Sequence, residues 1–245
     1  EPGKEYLVES RLMPVARRDG YPDLAAFITA AMQSPNQSPM RYSIVDALTT
    51  NETLFFRDFH PFEALRTDIL PKLLPTRAHV RKLNIWSAAS STGQEAYSIA
   101  MLLREHFPEI AGWDVRILGT DLSQTALAQA RSGSFSQLEV NRGLPAPYLA
   151  KYFTKCDERW LVKDELRKMC EFKQMNLSQP WPILPAFDLI FIRNVLIYFD
   201  VPTKQSILKR MRGCLLPHGY LFLGTAETTI NLDAEWAPVK VGNTV

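Results

Sequence analysis

The sequence predicts a doubly wound α/β domain preceded by a block of helices, and three observations carry that prediction. From Arg81 onward, short apolar runs alternate with helical patterns, which is how a mostly parallel sheet covered by helices is written. The stretch Leu83-Asn84-Ile85-Trp86-Ser87-Ala88-Ala89-Ser90-Ser91-Thr92-Gly93-Gln94-Glu95-Ala96-Tyr97 passes from an apolar run through small residues straight into a helical pattern. Strand, tight loop, helix is the order that brings backbone N–H groups and a helix N-terminus to a nucleotide-like ligand. The most apolar run, Phe187 to Ile192, has the length and bulk of a fully buried central strand. Before Arg81 nothing alternates like a strand.

Taken in order, Glu5 to Ala16 reads as a helix through Tyr6, Leu7, Met13 and Val15, with Arg11, Arg17 and Arg18 on it or at its end. Asp23 to Met32 repeats the helical period with Leu24, Phe27, Ile28 and Ala31. The polar stretch Ser34-Pro35-Asn36-Gln37-Ser38-Pro39 breaks the chain, and Ile44 to Leu48 forms a further short helix. Thr49 to Asp58 reads as a linker. In it Asn51 and Thr53 serve as caps and Phe55 and Phe56 as core; functionally, Arg57 is a cation held at a cleft by aromatic neighbours. Phe62 to Leu74 is a helix. Strand one, Lys82 to Ser87, is followed by the helix Gln94 to His106; strand two, Asp114 to Thr120, ends in Asp121 ahead of the helix Ser123 to Arg131. A strand near Glu171 to Met175 ends in Asn176. After the central strand, Pro202 to Leu216 is a helix stopped by Pro217-His218-Gly219, and Tyr220 to Gly224 is another strand. Tyr148 to Met175 interrupts the alternation as a small, hairpin-like antiparallel insertion.

Composition narrows the function classes. A net charge of +2 over 245 residues does not announce nucleic acid or an anionic membrane as a partner. No apolar run approaches the roughly 18 residues a membrane span needs, and the charged Glu1 to Arg18 predicts no secretory leader. Cys156, Cys170 and Cys214 are odd in number, far apart and not in metal-ligand pairs, which predicts a reducing compartment, the cytoplasm by default, and no structural zinc.

Ligands of an open parallel sheet lie beyond the C-terminal ends of its strands. Four polar groups fall at such ends: the loop before Glu95, Asp121, Asn176, and Arg193-Asn194. The loop has one glycine and no Gly-Lys-Ser/Thr, so neither the three-glycine dinucleotide fingerprint nor a phosphate-cradling loop is present. An acid at the end of strand two is placed to accept both hydroxyls of a ribose; its plain structural alternative is an N-cap, for which Ser123 competes. Asn176 either reads an adenine edge or caps a turn. Four such groups at one edge of one sheet point to an adenosine-type ligand. The basic residues Arg11, Arg17 and Arg18 read either as a patch for an acidic partner or as a solvated helix end, and charge alone favours the latter.

With these residues assembled, the chain resembles the chemotaxis receptor methyltransferase (CheR) family, which methylates receptor glutamates with S-adenosylmethionine. The carriers are TTNETLFFRD at 49–58, IWSAASSTGQEAYSIAM at 85–101, LGTDLS at 118–123 and FDLIFIRNVLIYF at 187–199. The resemblance implies an N-terminal helical domain (1–48) followed by a Rossmann-like S-adenosylmethionine-dependent methyltransferase domain (49–245), with a small antiparallel β-subdomain inserted at about 148–175. It implies Asn51, Thr53, Arg57, Glu95, Asp121, Asn176, Leu177, Ile192 and Arg193 around the cofactor, with Glu95 and Asp121 on its amino and ribose groups. Arg57 and Tyr198 would face the methyl and the incoming carboxylate. It turns Arg11, Arg17 and Arg18 into a basic face for receptor helices. The implied partners are the cytoplasmic helical domains of chemoreceptors, met by a monomer with neither nucleic acid nor membrane insertion; the implied product is S-adenosylhomocysteine. Two departures stand out. The stretch Thr154 to Arg159 lacks the glycine of members that dock on a receptor's C-terminal pentapeptide, which implies a pentapeptide-independent enzyme. The chain also starts late in the first helices and stops at Val245 inside the last strand, so it reads as trimmed.

The chemistry suits these residues. A glutamate of reference pKa about 4.3 is already ionised at neutral pH, so no general base is needed, and His60, His79, His106 and His218 lie outside the motifs. No metal is needed either. What remains for the protein is alignment and exclusion of water around two opposite charges. Two rivals stay open: a nucleic-acid N-methyltransferase, which calls for a basic face and an Asn/Asp-Pro-Pro-aromatic loop where this chain has Asn194-Val195-Leu196-Ile197-Tyr198, and a non-catalytic module that only senses the cofactor.

Overall fold

The computed structural model describes residues 5–35 and 38–242. Asn36 and Gln37, in the break expected at 34–39, and the last residues through Val245 lie outside the described residues. Three helices open the chain: α1 (Glu5–Arg18), α2 (Leu24–Gln33) and α3 (Pro39–Leu48). Asp23 and Ser38 cap α2 and α3 by accepting from Ala26 and Arg41 N–H, so the polar residues before each apolar period start the helix. Leu12, Ala16, Phe27 and Ala31 are buried among them.

The expected helix at 62–74 is longer and composite: α4 (His60–Ala64), a π-turn (Leu65–Ile69) and α5 (Leu70–Arg77). Beyond it come β1 (Lys82–Ala88), α6 (Gln94–His106), β2 (Asp114–Asp121), α7 (Gln124–Ser132), β3 (Ser134–Ser136), α8 (Gln137–Asn141), α9 (Ala146–Tyr152), β4 (Phe153–Cys156), β5 (Arg159–Val162), α10 (Asp164–Arg167), β6 (Cys170–Gln174), β7 (Phe187–Ile192), α11 (Val201–Cys214) and β8 (Leu215–Leu223).

Five strands form one sheet in the order β6-β2-β1-β7-β8, parallel at every pairing. Successive side chains of a strand point to opposite faces, and the core divides accordingly. Leu83, Ile85, Leu189 and Phe191 pack with α6 and the π-turn segment on one face, while Trp86, Ala88, Ile190 and Ile192 pack with Ile207, Leu208 and Met211 of α11 on the other. A second sheet, β3-β5-β4, is antiparallel and draws its first strand from before Tyr148. Phe55 of the linker fills the space under it, edge-on to Phe135 and Phe153.

The boundary between α11 and β8 also differs from expectation. The helix expected to run to Leu216 ends at Cys214, and Pro217-His218-Gly219 sits inside β8 as a register shift. The reason is the buried Asp188 carboxylate, which pairs with Arg77 at 2.8 Å and His218 at 3.1 Å. A Cβ on Gly219 would lie 2.8 Å from the Asp188 carbonyl oxygen, so the bulge closes onto β7 only with glycine there.

Candidate active site

A cleft of about 630 Å³ opens beyond the C-terminal ends of β1, β2, β6 and β7, the place an open parallel sheet leaves for a ligand. Ala89 to Ser91, Asp121 and Leu122, Met175 to Ser178, Arg193 to Val195, Tyr198 and Phe199 form its floor and walls. The linker adds Thr49 to Thr53 and Arg57, and α1 adds Leu7, Val8 and Arg11 over the top.

The small residues after β1 are explained by the turn they make. Ala89 and Ser91 sit at φ +58° and +49° and Gly93 at +92°, a run of left-handed backbone that large side chains resist. A Cβ on Gly93 would come 2.9 Å from Ala130 Cβ. The folded loop donates Ser91 N–H to Asp121 Oδ2 (2.8 Å), while Ser123 N–H donates to Oδ1 (2.9 Å). Ser123 Oγ takes the capping bond from Ala126 N–H, so Asp121 is not the cap of α7. Each of its oxygens holds one backbone bond and has capacity for another. Burial pushes the Asp121 pKa up, and the backbone N–H donors partly offset this. Ser90 also lines the cleft, while its Oγ is buried against Gly119 and has no hydrogen-bond partner among the described residues.

Glu95 opens α6. Its Oε1 accepts from Ser87 Oγ at 2.7 Å and its Oε2 from Arg193 Nη1 at 3.0 Å. Arg193 in turn donates from Nη2 to the Arg57 carbonyl oxygen (2.7 Å) and to Asp58 Oδ2 (2.8 Å), with its guanidinium 5.6 Å from the centre of the Phe62 ring. One buried cation thus ties the end of β7 to the start of α6 and to the linker. The linker is further held by Ser91 Oγ donating to the Asn51 carbonyl oxygen and Phe56 N–H donating to Ser98 Oγ. Phe56, Asp58 and Phe59 all have positive φ without a glycine among them. Phe59, at φ 49° and ψ −55°, makes a γ-turn of the uncommon positive-φ kind, closed by His60 N–H donating to the Asp58 carbonyl oxygen.

The cleft brings together Asn51, Thr53, Arg57, Glu95, Asp121, Asn176, Leu177, Arg193, Tyr198 and Arg11. Arg57 is half-buried with Nη1 on the Glu52 carbonyl oxygen, and Tyr198, 63% exposed, stands at the rim. Asn51 and Thr53 cap no helix: Phe59 occupies the cap position of α4. Asn176 makes a turn, its Oδ1 accepting from Ser178 N–H and Oγ. Ile192 is wholly buried in the core and does not line the cleft. The basic residues separate. Arg11 donates to the Leu48 carbonyl oxygen and Thr50 Oγ1 at the cleft edge; Arg18 pairs with Asp19; Arg17 is exposed. Arg17 and Arg18 lie outside the cleft lining.

Two residues that sequence reasoning missed shape the walls. Arg210 of α11 donates to the carbonyl oxygens of Leu177 and Gln179 and stacks 4.3 Å from the Trp181 ring centre, pinning the loop after β6. An arginine beside Ile207 and Met211 on the buried side of a helix was its signal. Glu227 binds the backbone after β7; an acid just past a strand end, the signal that singled out Asp121, applied to it as well.

A family description, CheR methyltransferase, SAM binding domain, matches residues 51–243. The chain belongs to the CheR methyltransferase family. Two CheR relatives bear this out over almost the whole chain. Chemotaxis protein methyltransferase 1 of Pseudomonas aeruginosa is 41% identical over 241 residues, covering 97% of this chain and 87% of the relative. Chemotaxis protein methyltransferase Cher2 of Pseudomonas putida is 39% identical with the same coverage. A glycopeptide N-methyltransferase in complex with S-adenosylmethionine is a loose structural likeness, 18% identical over 72% of this chain and 58% of that one, with a TM-score of 0.39. The CheR cleft fits the cofactor its family description names: its volume is in the usual range for such ligands, and Asp121 on its wall keeps acceptor capacity.

Proposed function

We propose that this CheR-family enzyme transfers the methyl group of S-adenosylmethionine to glutamate side chains of methyl-accepting chemotaxis receptors, in the cytoplasm, as a monomer. The observation that carries the reading is convergence: Arg57 and Tyr198 line the same cleft as Glu95 and Asp121, although the linker, the start of α6 and the ends of β2 and β7 supply them.

When bound, S-adenosylmethionine supplies an electrophilic methyl on a sulfonium. Asp121 would hold the ribose hydroxyls, Glu95 would face the amino group, and Asn176 and Leu177 would flank the base. Asn51, Thr53 and Arg193 complete the pocket, with Ile192 packed behind it in the core. Arg57 orients the incoming carboxylate and the Tyr198 hydroxyl donates to it. Both hold loosely, because a tight ion pair would keep the nucleophile from reacting. The receptor carboxylate arrives ionised, so the protein moves no proton; it aligns the two partners and keeps water from their charges. The ester removes one negative charge per site, an electrostatic change in a helical bundle.

Arg17 and Arg18, exposed on α1, suit acidic receptor helices. We further propose pentapeptide independence: the turn between β4 and β5 is only Asp157-Glu158, with no glycine and with Asp157 already at φ +50°. Free Cys156, Cys170 and Cys214 accord with a cytoplasmic setting.

The test is to incubate the protein with labelled S-adenosylmethionine and receptor cytoplasmic fragments, with and without the C-terminal pentapeptide. Alkali-labile label equal in both is expected. Label confined to pentapeptide-bearing fragments would overturn independence, and label entering RNA but no receptor would overturn the substrate.

A further inference from the structure

Just past β8 the chain turns, with Glu227 N–H donating to the Gly224 carbonyl oxygen at 2.9 Å. The turn brings the Glu227 carboxylate back onto the segment after β7. Oε2 accepts from the N–H groups of Asn194 (2.8 Å) and Gly224 (2.7 Å), and Oε1 from those of Val195 (2.8 Å) and Leu196 (2.7 Å). Three consecutive N–H groups therefore converge on one carboxylate. With Asn194 at φ +58°, they form the kind of backbone concavity that attracts an anion. They also lead into the 3-10 turn Leu196–Tyr198, whose first donors have no carbonyl of their own.

A second observation agrees. A Cβ on Gly224 would lie 2.6 Å from Glu227 Oε2 and 2.7 Å from Asn194 N, so the carboxylate and the turn meet only because that residue is glycine. Asn194, Val195 and Tyr198 all line the cleft, while Glu227 does not line it.

We propose that Glu227 is a positioning residue for methyl transfer. Its carboxylate clamps the backbone of Asn194, Val195 and Leu196 and so fixes where the following turn presents Tyr198. The proposal rests on the reading of Tyr198 given above. A structural stitch between the ends of β7 and β8 would lower stability alone; a positioning residue must also be coupled to Tyr198.

The test compares E227Q, Y198F and the double variant with the unaltered protein. Gln presents an NH₂ group to N–H donors that now meet an oxygen, so the clamp fails without loss of side-chain volume. In E227Q, kcat is expected to fall about tenfold or more while the Kd for S-adenosylmethionine changes less than about threefold. Amide exchange at Asn194, Val195 and Leu196 is expected to speed up about tenfold or more. Y198F should cost much less in the E227Q background than alone, the non-additivity of residues acting through one another. G224A, which displaces the carboxylate but keeps it, should reproduce the same split and serves if E227Q does not fold. Unchanged exchange, or a Y198F effect of full size in both backgrounds, would overturn the proposal. Unaltered protein that methylates no receptor fragment would instead remove the functional reading, and this proposal with it.

Discussion

In the ribose-binding role proposed for it, Asp121 must carry charge where burial resists it. Its pKa is raised in the fold, burial being the main cause, so its share of stability is fully present below its unfolded pKa and lost as pH climbs through the raised value. In the proposed role, cofactor binding would run the other way, because a charged acceptor holds a ribose better than a neutral one. Calorimetric titration against pH should therefore show affinity for S-adenosylmethionine falling on the acid side from a point above the ordinary aspartate range, and Asp121→Asn should flatten that limb. The two hydrogen bonds at stake are worth about 1.5–3 kcal/mol each. Asp121→Ala would also orphan the N–H groups of Ser91 and Ser123, so its loss of stability is not a measure of binding. Arg57 offers a cleaner experiment. Its side chain holds only the Glu52 carbonyl oxygen among the described residues, so Arg57→Ala should change unfolding free energy by no more than about 0.5 kcal/mol while methyl transfer falls far more. Full activity, or a large drop in melting temperature, would remove it from the role. At this scale the sequence was legible where a strand end places a side chain on the cleft, as with Asp121. It was silent on the partners of Glu95, whose oxygens are engaged by Ser87 and by an arginine 98 residues away.

Between elements, Arg193 is the tie that matters. Its side chain is 2% exposed and pairs with Glu95 and Asp58. Arg193→Ala leaves a buried carboxylate without its partner, which costs about 3–5 kcal/mol in comparable cases, and chemical denaturation should show it. Arg193→Lys should not restore it, since an ammonium lacks the planar fork that reaches Glu95, Asp58 and the Arg57 carbonyl together. A lysine variant of normal stability would refute this account. Element existence and order were readable from apolar period alone: α6 and β7 fall on the expected residues. The end of α11 was not, because Pro217-His218-Gly219 carries a stop signal that the buried Asp188 turns into a bulge. Local signals punctuate a chain; a partner distant in sequence decides whether the punctuation ends a helix or bends a strand.

At the scale of the molecule, the cleft is roofed by helices that the sheet does not contain. Leu7, Val8 and Arg11 of α1 lie on it, and Arg11 fastens α1 to Leu48 and Thr50. Arg11→Ala is expected to raise the Kd for S-adenosylmethionine a few-fold, whereas Arg17→Ala, outside the lining, should leave it unchanged and raise KM for receptor fragments. Equal effects on both constants from both variants would refute this division of labour. Charge pattern grouped these arginines, and only the path of α1 over the sheet separates them. The doubly wound sheet itself was legible, since strand–helix alternation leaves few ways to bury both faces.

The γ-turn at Phe59 carries one more consequence. Phe59 is 60% exposed, so little packing offsets a backbone shape that costs an ordinary residue about 1–3 kcal/mol. Phe59→Gly should consequently make the protein melt higher, read by calorimetry, while the relaxed hinge lets the Arg57 guanidinium wander and turnover slows. The enzyme would be sturdier and lazier: the stability given up at this turn keeps one cation still.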